Sequence, residues 1–426
     1  MSASFFLRFL PIMTFFSVIF ASVISHGLTL DEAISLAKRN LPSYRASLEK
    51  QRASEALYRA SLSPYLPSLD ASFSQGRSFT SGDESRFQTA DLTLSYTLFD
   101  WGKRKAQRNI ARLNLDSSGA DVEETLLDLE YAVKSAFYTV QAYKEAVEQR
   151  TIQLADAEKD HEVAAGRYQF GVARLSDVLQ ASVRLEQARF HLVQAQGDLK
   201  KALSELNSLI GSPLETDHDT GTIVEPVAAL PDFETLVQRS LERPEVKRVE
   251  YAIRIEEQSA SIIRSTFLPS FSADASYSTI DGDVSRSLAR EEKTATVRAV
   301  WNIFELGKFY TYRATEFQKN ASVETLNELK RAVSLDVRKA YEDMATAQKE
   351  LEVARTQLQQ AEHNYSQAFG EYKVGKGDIL ALIQAESFLA ASREQLVRSK
   401  LGVMLSKAVL ERVTGMRTCE PPVPDR

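Results

Sequence analysis

Side chains able to do chemistry are spread thinly along this chain. Its five histidines are His26, His161, His191, His218 and His363, and no two stand at the spacing of a metal-ligating pair. A hydrolytic metal site would also need a carboxylate base beside them, and no such motif occurs, so solvated or packed histidines account for the pattern. Cys419 is the single cysteine, which excludes an internal disulfide or a thiolate cluster and leaves no cysteine near the N-terminus to accept a lipid. There is no phosphate-cradling glycine loop, nucleophile elbow, or deaminase or zincin signature. The expectation is a protein that is not an enzyme and needs no cofactor. More informative are two short stretches in which glycine interrupts long helical runs, 170–179 and 374–380. Gly171, Gly375 and Gly377 there permit the left-handed backbone that reverses a helix.

The elements that must position those two stretches come in duplicate. Pro42 pairs with Pro244, and Leu66-Pro67-Ser68 with Leu268-Pro269-Ser270. Phe99 and Gly102-Lys103 recur as Phe304 and Gly307-Lys308, then Tyr168, Gly171 and Gln180-Ala181 as Tyr372, Gly375 and Gln384-Ala385, and finally Gly211 as Gly415. A nearly constant separation over so much of the chain implies internal duplication. The repeats are read as 28–211 and 232–416, joined by a linker at 212–231 rich in Pro, Asp and Thr, with a tail at 417–426. Each copy reads helix, strand, strand, very long helix, tight break, helix.

Residues 103–170 form one proline-free run with apolar residues at Leu126, Leu129, Val133, Ala136, Val140, Tyr143, Val147, Leu154 and Ala157. That spacing is a coiled-coil seam. The second copy keeps a looser one through Met344, Leu351, Leu358, Ala361, Tyr365, Ala368 and Tyr372. A helix of that length spans about 100 Å, a reach no compact domain needs. Helices at 30–60 and 175–210 together match the long helix between them, as do 232–265 and 378–414 in the second copy. Two short helices stacked end to end along a long one make a rod of constant thickness with a hairpin at its far end. Charges such as Glu145, Glu148 and Arg150 face solvent outside the rod or line a lumen.

The strands, read as 67–79 and 89–99 in the first copy, alternate cleanly. Leu69, Ala71 and Phe73 oppose Ser68, Asp70, Ser72 and Ser74, while Leu92, Leu94, Tyr96 and Leu98 oppose Asp91, Thr93, Ser95 and Thr97. In the second copy Phe271, Ala273, Ala275 and Tyr277 oppose Ser270, Ser272, Asp274 and Ser276, and Ala295, Val297, Ala299, Trp301 and Ile303 oppose Thr294, Thr296, Arg298 and Asn302. Segments of this kind suit a membrane barrel with lipid outside and water inside, with Phe79, Phe87, Phe99, Trp101, Phe267, Trp301 and Phe304 placed for its aromatic belts. Alternation alone fits a soluble sandwich equally well. In lipid, however, four strands cannot close a ring, since about eight are needed and an open edge leaves backbone groups unsatisfied. Several chains must then share one barrel, and three copies would supply twelve strands.

Arg8 followed by the apolar stretch from Phe9 to Ile24 reads as a signal peptide over 1–25. No other run approaches the length of a membrane-spanning helix, so a mature chain that crosses a bilayer must do so with strands. The net charge of −6 without a long basic run offers no footprint for nucleic acid.

The duplicated plan, Leu-Pro-Ser before the strands, Phe-Asp-Trp-Gly-Lys at 99–103 and Tyr-x-x-Gly before each hairpin resemble the TolC-like outer-membrane efflux family over 28–416. The resemblance implies a mostly α fold with a membrane β-barrel portion: a long antiparallel coiled-coil α-barrel, with four strands per chain contributing to a twelve-stranded barrel in a homotrimer, anchored in outer-membrane lipid. It implies the exit duct of a tripartite efflux or type I secretion system, docked by a periplasmic adaptor (membrane fusion) protein and energised by an inner-membrane pump of ABC, RND or MFS type. By resemblance, Gly171, Val172, Ala173 and Ser176 on one tip and Val374, Gly375, Lys376 and Gly377 on the other are what the adaptor grips. Asp177 and Tyr372 resemble one of the polar ties that keep the tips closed, and Asp378 or Asp177 would supply negative charge for cation preference. Where relatives place an arginine this chain has Gly377, and their constricting aspartates fall at Ala381 and Gln384. A trimeric surface stalk or adhesin is the alternative, but it calls for one terminal anchor rather than strands placed internally twice. A soluble periplasmic hydrolase would need a pocket constellation that the sequence lacks.

Overall fold

A computed structural model describes residues 27–80, 83–223, 230–282 and 291–416. The expected signal peptide, the tail with Cys419 and part of the linker lie outside the described residues. The first pass of elements is α1 (Leu30–Asn40), α2 (Pro42–Ala60), β1 (Ser68–Thr80), β2 (Asp83–Phe99), α3 (Lys103–Gln169) and α4 (Leu175–Ile210). The second is α5 (Phe233–Ser240), α6 (Pro244–Ser265), β3 (Ser270–Gly282), β4 (Glu291–Val300), α7 (Leu306–Lys373) and α8 (Ile379–Thr414). The long helices α3 and α7 have 67 and 68 residues. None of the described helices is both long and apolar enough to cross a membrane.

Each expected first helix is broken in two. Thr29 opens α1 with a reciprocal capping box to Glu32, but Pro42 has no N–H and forces its predecessor out of the helical region, so Leu41 sits at φ −71°, ψ 120°. Arg243 before Pro244 is extended in the same way, at φ −59°, ψ 150°. Each proline also starts the next helix, at a position where its missing donor has no intrahelical role.

The long helices organise the packing. On α3, Leu129, Val133, Phe137 and Val140 are buried against Ala33, Ile34 and Ala37 of α1 and Ala202, Leu206 and Ile210 of α4. Each fully buried large side chain such as Leu206 stabilises this junction by about 1.5–3 kcal/mol. Asn40 Nδ2 donates to the Ile210 carbonyl at 2.8 Å, tying the end of α1 to the end of α4. The second pass repeats the junction with Leu236 of α5, Val337 and Ala340 of α7, and Leu410 of α8. Ion pairs join α3 to α8: Lys134 to Glu411 at 2.5 Å and Lys400 to Glu145 at 2.6 Å. These pairs fix the axial register of the two halves, because a slip of one turn would leave Lys134, with its side chain 4% exposed, buried and unpaired.

The four strands form one antiparallel sheet in the order β1-β2-β3-β4. Leu69, Leu94 and Ala275 lie in one row across it and Asp70, Thr93, Ser276 and Thr294 in the next, so the alternation read in each strand adds up to one apolar and one polar face. Leu69, Phe73 and Val297 on the apolar face are each more than 60% exposed. Among the described residues β1 and β4 pair on one side only.

A collar fastens the sheet to the rod. Arg104 Nε donates to Asp100 Oδ2 at 2.9 Å, and its terminal nitrogens donate to the carbonyls of Pro64, Thr97 and Leu98. Trp101 Nε1 donates to the Pro269 carbonyl at 2.8 Å, and Trp301 Nε1 to the Phe267 carbonyl at 3.0 Å. Trp101 is the one described non-glycine residue with positive φ, 53°. The indole bond and the edge-on contact with Phe99, ring centroids 4.8 Å apart, hold it in that strained conformation.

Candidate functional site: the paired hairpin tips

The far end of the rod is made by two helical reversals of one design. The N–H of Gly171 bonds the Tyr168 carbonyl and that of Val172 the Arg167 carbonyl; the N–H groups of Gly375 and Lys376 bond Tyr372 and Glu371 in the same way. Gly171 at φ 73° and Gly375 at φ 81° take the left-handed conformation. Gly377 does not, which corrects the expectation for it. A Cβ there would lie 3.2 Å from the Tyr372 nitrogen, so its glycine is required by close backbone approach rather than by its own φ.

The tips present apolar surface. Phe170, Val172, Leu175 and Leu179 on the first, and Val374 and Leu380 on the second, are all more than half exposed. Gly171, Ser176, Gly375 and Lys376 lie exposed among them, and Ala173 is half-buried. The expected gate residues separate into two groups. Asp378 caps α8 by accepting from the Ala381 N–H at 2.7 Å, so Ala381 contributes through its backbone, and Gln384 faces solvent. Asp177 accepts from the Arg174 N–H at 3.4 Å and from the Ser176 hydroxyl at 3.2 Å.

The direct tie between Asp177 and Tyr372 is not formed. The Asp177 carboxylate is occupied at the first turn of α4, where the helix dipole favours it. Tyr372 is 1% exposed, packed with Ala164, Ala181, Ile379 and Leu382, and its hydroxyl has no hydrogen-bond partner. Burial, followed in effect by Arg167, which acts in the opposite sense, and by the raising influence of Asp177 and Asp160, leaves the phenol pKa above its usual value. What touches Tyr372 instead is Arg167. Its Nη1 donates to the Tyr372 carbonyl, and its guanidinium carbon lies 4.5 Å from the ring centroid.

A second set of ties, not foreseen from sequence, lies above the tips. Glu386 of α8, 4% exposed, accepts from Gln153 Nε2 of α3 at 3.0 Å and from Arg184 of α4. Arg184 also donates to the Ser387 hydroxyl. Asp156 of α3 pairs with Arg393 of α8 at 3.1 Å, and Tyr365 of α7 donates to Asp160 of α3 at 3.1 Å. All of these join the α3/α4 hairpin to the α7/α8 hairpin. Asp177 was singled out by its resemblance to a family tip position; these residues sit inside unbroken helices. Tyr365 was visible only as a seam residue, and the one signal for its neighbours was charge close to the coiled-coil seam.

Asp160 makes this layer sensitive to pH. Burial, first, and the repulsion of Glu386 and Asp156 raise its pKa from 3.8 to about 7, against the lowering effects of the Tyr365 hydrogen bond and Lys159. An acid whose pKa is raised on folding binds its proton more tightly in the packed state. The contribution of Asp160 to the packed hairpins is therefore greatest at low pH and is lost as pH rises between those two values. Asp160→Asn is expected to stabilise the protein by about 1–2 kcal/mol at pH 8 and by almost nothing at pH 4. Thermal unfolding at the two pH values checks this, and an equal shift at both would remove the titration of Asp160 as the cause.

Among the described residues no group of three His, Cys, Asp or Glu side chains converges as a metal site. A family model described as outer membrane efflux protein matches residues 33–212 and 236–416. The chain is 24% identical over 384 residues to protein CyaE of Bordetella pertussis, covering 87% of this chain and 80% of that protein. It is 25% identical over 411 residues to the toluene efflux pump outer membrane protein TtgC of Pseudomonas putida, covering 92% and 82%. The crystal structure of the outer membrane protein VceC from Vibrio cholerae superposes with a TM-score of 0.77 at 18% identity, over 91% of this chain and 96% of that one.

Proposed function

We propose, from the premise that this chain belongs to the outer membrane efflux protein family, that three copies form an exit duct which passively carries substrates across the periplasm and outer membrane. The observation that carries the reading is the sheet: four strands with an apolar outward face and two free edges, set on a rod of about 100 Å. Free backbone edges are not tolerated in hydrocarbon, so β4 of one copy must meet β1 of the next until the ring closes. Three copies give twelve strands and a water-filled lumen lined by the polar face, and the six long helices with their stacked partners continue that lumen as a tunnel. In this reading 28–211 and 232–416 are the two structural repeats, the segment 212–231 links them, and 1–25 is the signal peptide.

The exposed apolar tips are the natural place for a periplasmic adaptor, itself linked to an inner-membrane pump. In this reading the pump, of ABC, RND or MFS type, chooses the cargo, and one relative is named for toluene efflux. No step in such a duct requires a reacting residue. Membrane fractionation and planar bilayers test the proposal. The protein is expected in the outer-membrane fraction as a detergent-stable trimer that conducts ions, and recovery of a folded monomer from the soluble periplasm would overturn it.

A further inference from the structure

We infer that Phe87 forms, on the inner wall of each copy's share of the barrel and close to the outer mouth, a flat apolar landing that takes aromatic cations. The inference rests on the channel reading above and adds a binding site to it. Read from sequence, Phe87 belongs to an aromatic belt facing lipid. The register corrects this: Phe87 stands opposite Gly76 of β1 and Gly282 of β3. That places it on the face of Thr89, Asp91 and Thr93, the polar wall of the lumen.

The outward rows of the sheet are apolar from Leu98 up to Phe73 and Ala90, then turn polar at Gln75, Gln88 and Asp281 and at Arg77 and Arg86. Ala90 and Leu98 are about 27 Å apart along the strand, which after tilt fills most of the band of about 25 Å that a barrel presents to lipid. Beyond that band the polarity of the wall inverts, with Phe87 and its diagonal neighbour Ile280 turned inward. The glycines let the ring lie flat. A Cβ on Gly76 would come within 2.5 Å of Phe87 Cζ, so the ring rests on bare β1 backbone and, half-buried, keeps its other face towards the lumen.

The same wall carries negative charge below the ring. Asp91 accepts from the hydroxyls of Ser278 and Ser72, and Glu292 lies in the same row beyond Ser278. Among the described residues the basic side chain on this face is Arg298, opposite Ser272 at the collar end. Asp91 is about 13 Å from Phe87 along the strand, beyond the screening length of about 10 Å at 0.1 M salt. The ring therefore supplies the affinity, and the carboxylates raise the local concentration of cations. A neutral aromatic uses only the first and an inorganic cation only the second, whereas a flat aromatic cation draws on both.

The test uses the full-length trimer in planar bilayers, with ethidium added on the side of the strand hairpins. Ethidium should block the current of the parent. Phe87→Ala and Phe87→Leu should raise the blocking concentration on the order of tenfold, while Phe87→Trp should keep it. The leucine variant still covers Gly76 with apolar volume, and an unchanged conductance in potassium chloride shows that its barrel is intact. Asp91→Asn should slow the onset of block and leave its dwell time as it was. Tetramethylammonium, a cation without a ring, should act alike on the parent and on Phe87→Leu. A conducting parent that ethidium does not block, or equal block in the parent and Phe87→Leu, overturns the landing and leaves the channel reading standing. For a protein that never conducts, ethidium anisotropy in detergent decides: Phe87-dependent binding keeps the landing and sinks the channel reading, and Phe87-independent binding sinks both.

Discussion

Leu94→Arg is expected to keep most of the protein out of the folded outer-membrane pool, while Thr93→Arg, one residue away, is not. Leu94 lies mid-strand on the apolar face, between Leu69 and Ala275, and a charge at the bilayer midplane of a barrel costs about 2–4 kcal/mol. In a ring of three chains that penalty applies three times. Thr93 is on the opposite face beside Asp70 and Ser276, where an arginine would meet water and a carboxylate. The heat-resistant oligomer band after membrane extraction measures both variants. Wild-type yield for Leu94→Arg would remove lipid from the apolar face and restore the soluble sandwich as a competing architecture.

Glu386→Ala should cost about 3–5 kcal/mol, the range found when one member of a buried ion pair is deleted and its partner stays. The Glu386 side chain is 6% exposed and Arg184, at 27%, has little water to turn to. Gln153 would lose its acceptor as well. Glu386→Gln should recover part of the loss, since an amide oxygen can still accept from Gln153. Urea unfolding followed at a tip-proximal fluorophore reports the hairpin region directly. A loss below about 1 kcal/mol would place Glu386 among solvated surface pairs.

The architecture was legible because its determinants are periodic. Alternation in 69–73 and 92–98 specifies which face of a strand is apolar, and the strands pair in the register that preserves those faces. The proline-free run 103–170 around the Leu126 to Ala157 seam likewise predicts α3 to within a residue of its observed end. The prolines at 42 and 244 are visible in the sequence, but 30–60 and 232–265 match the long helices in length only when each is read as one unbroken helix, which hides the breaks. The tip contacts were not legible to the same degree, for a physical reason. Asp177 can cap its own helix or reach Tyr372, and only the three-dimensional path of α7 decides which. Arg167 carries no motif at all. Its contact is with a backbone carbonyl some two hundred positions away, and carbonyls leave no trace in residue identity. Glu386 and Arg184 are similarly invisible until α4 and α8 lie side by side. Gly377 shows the converse case: its identity was noticed and the reason for it was misassigned.

The collar around Arg104, Trp101 and Trp301 gives the molecule a fixed root. With the sheet end bolted to five main-chain carbonyls, torsion applied anywhere along the shaft cannot be relieved there. It accumulates towards the free extremity, so in the proposed duct a small twist delivered by a docked partner would appear at the aperture as displacement rather than being lost as rotation of the membrane ring.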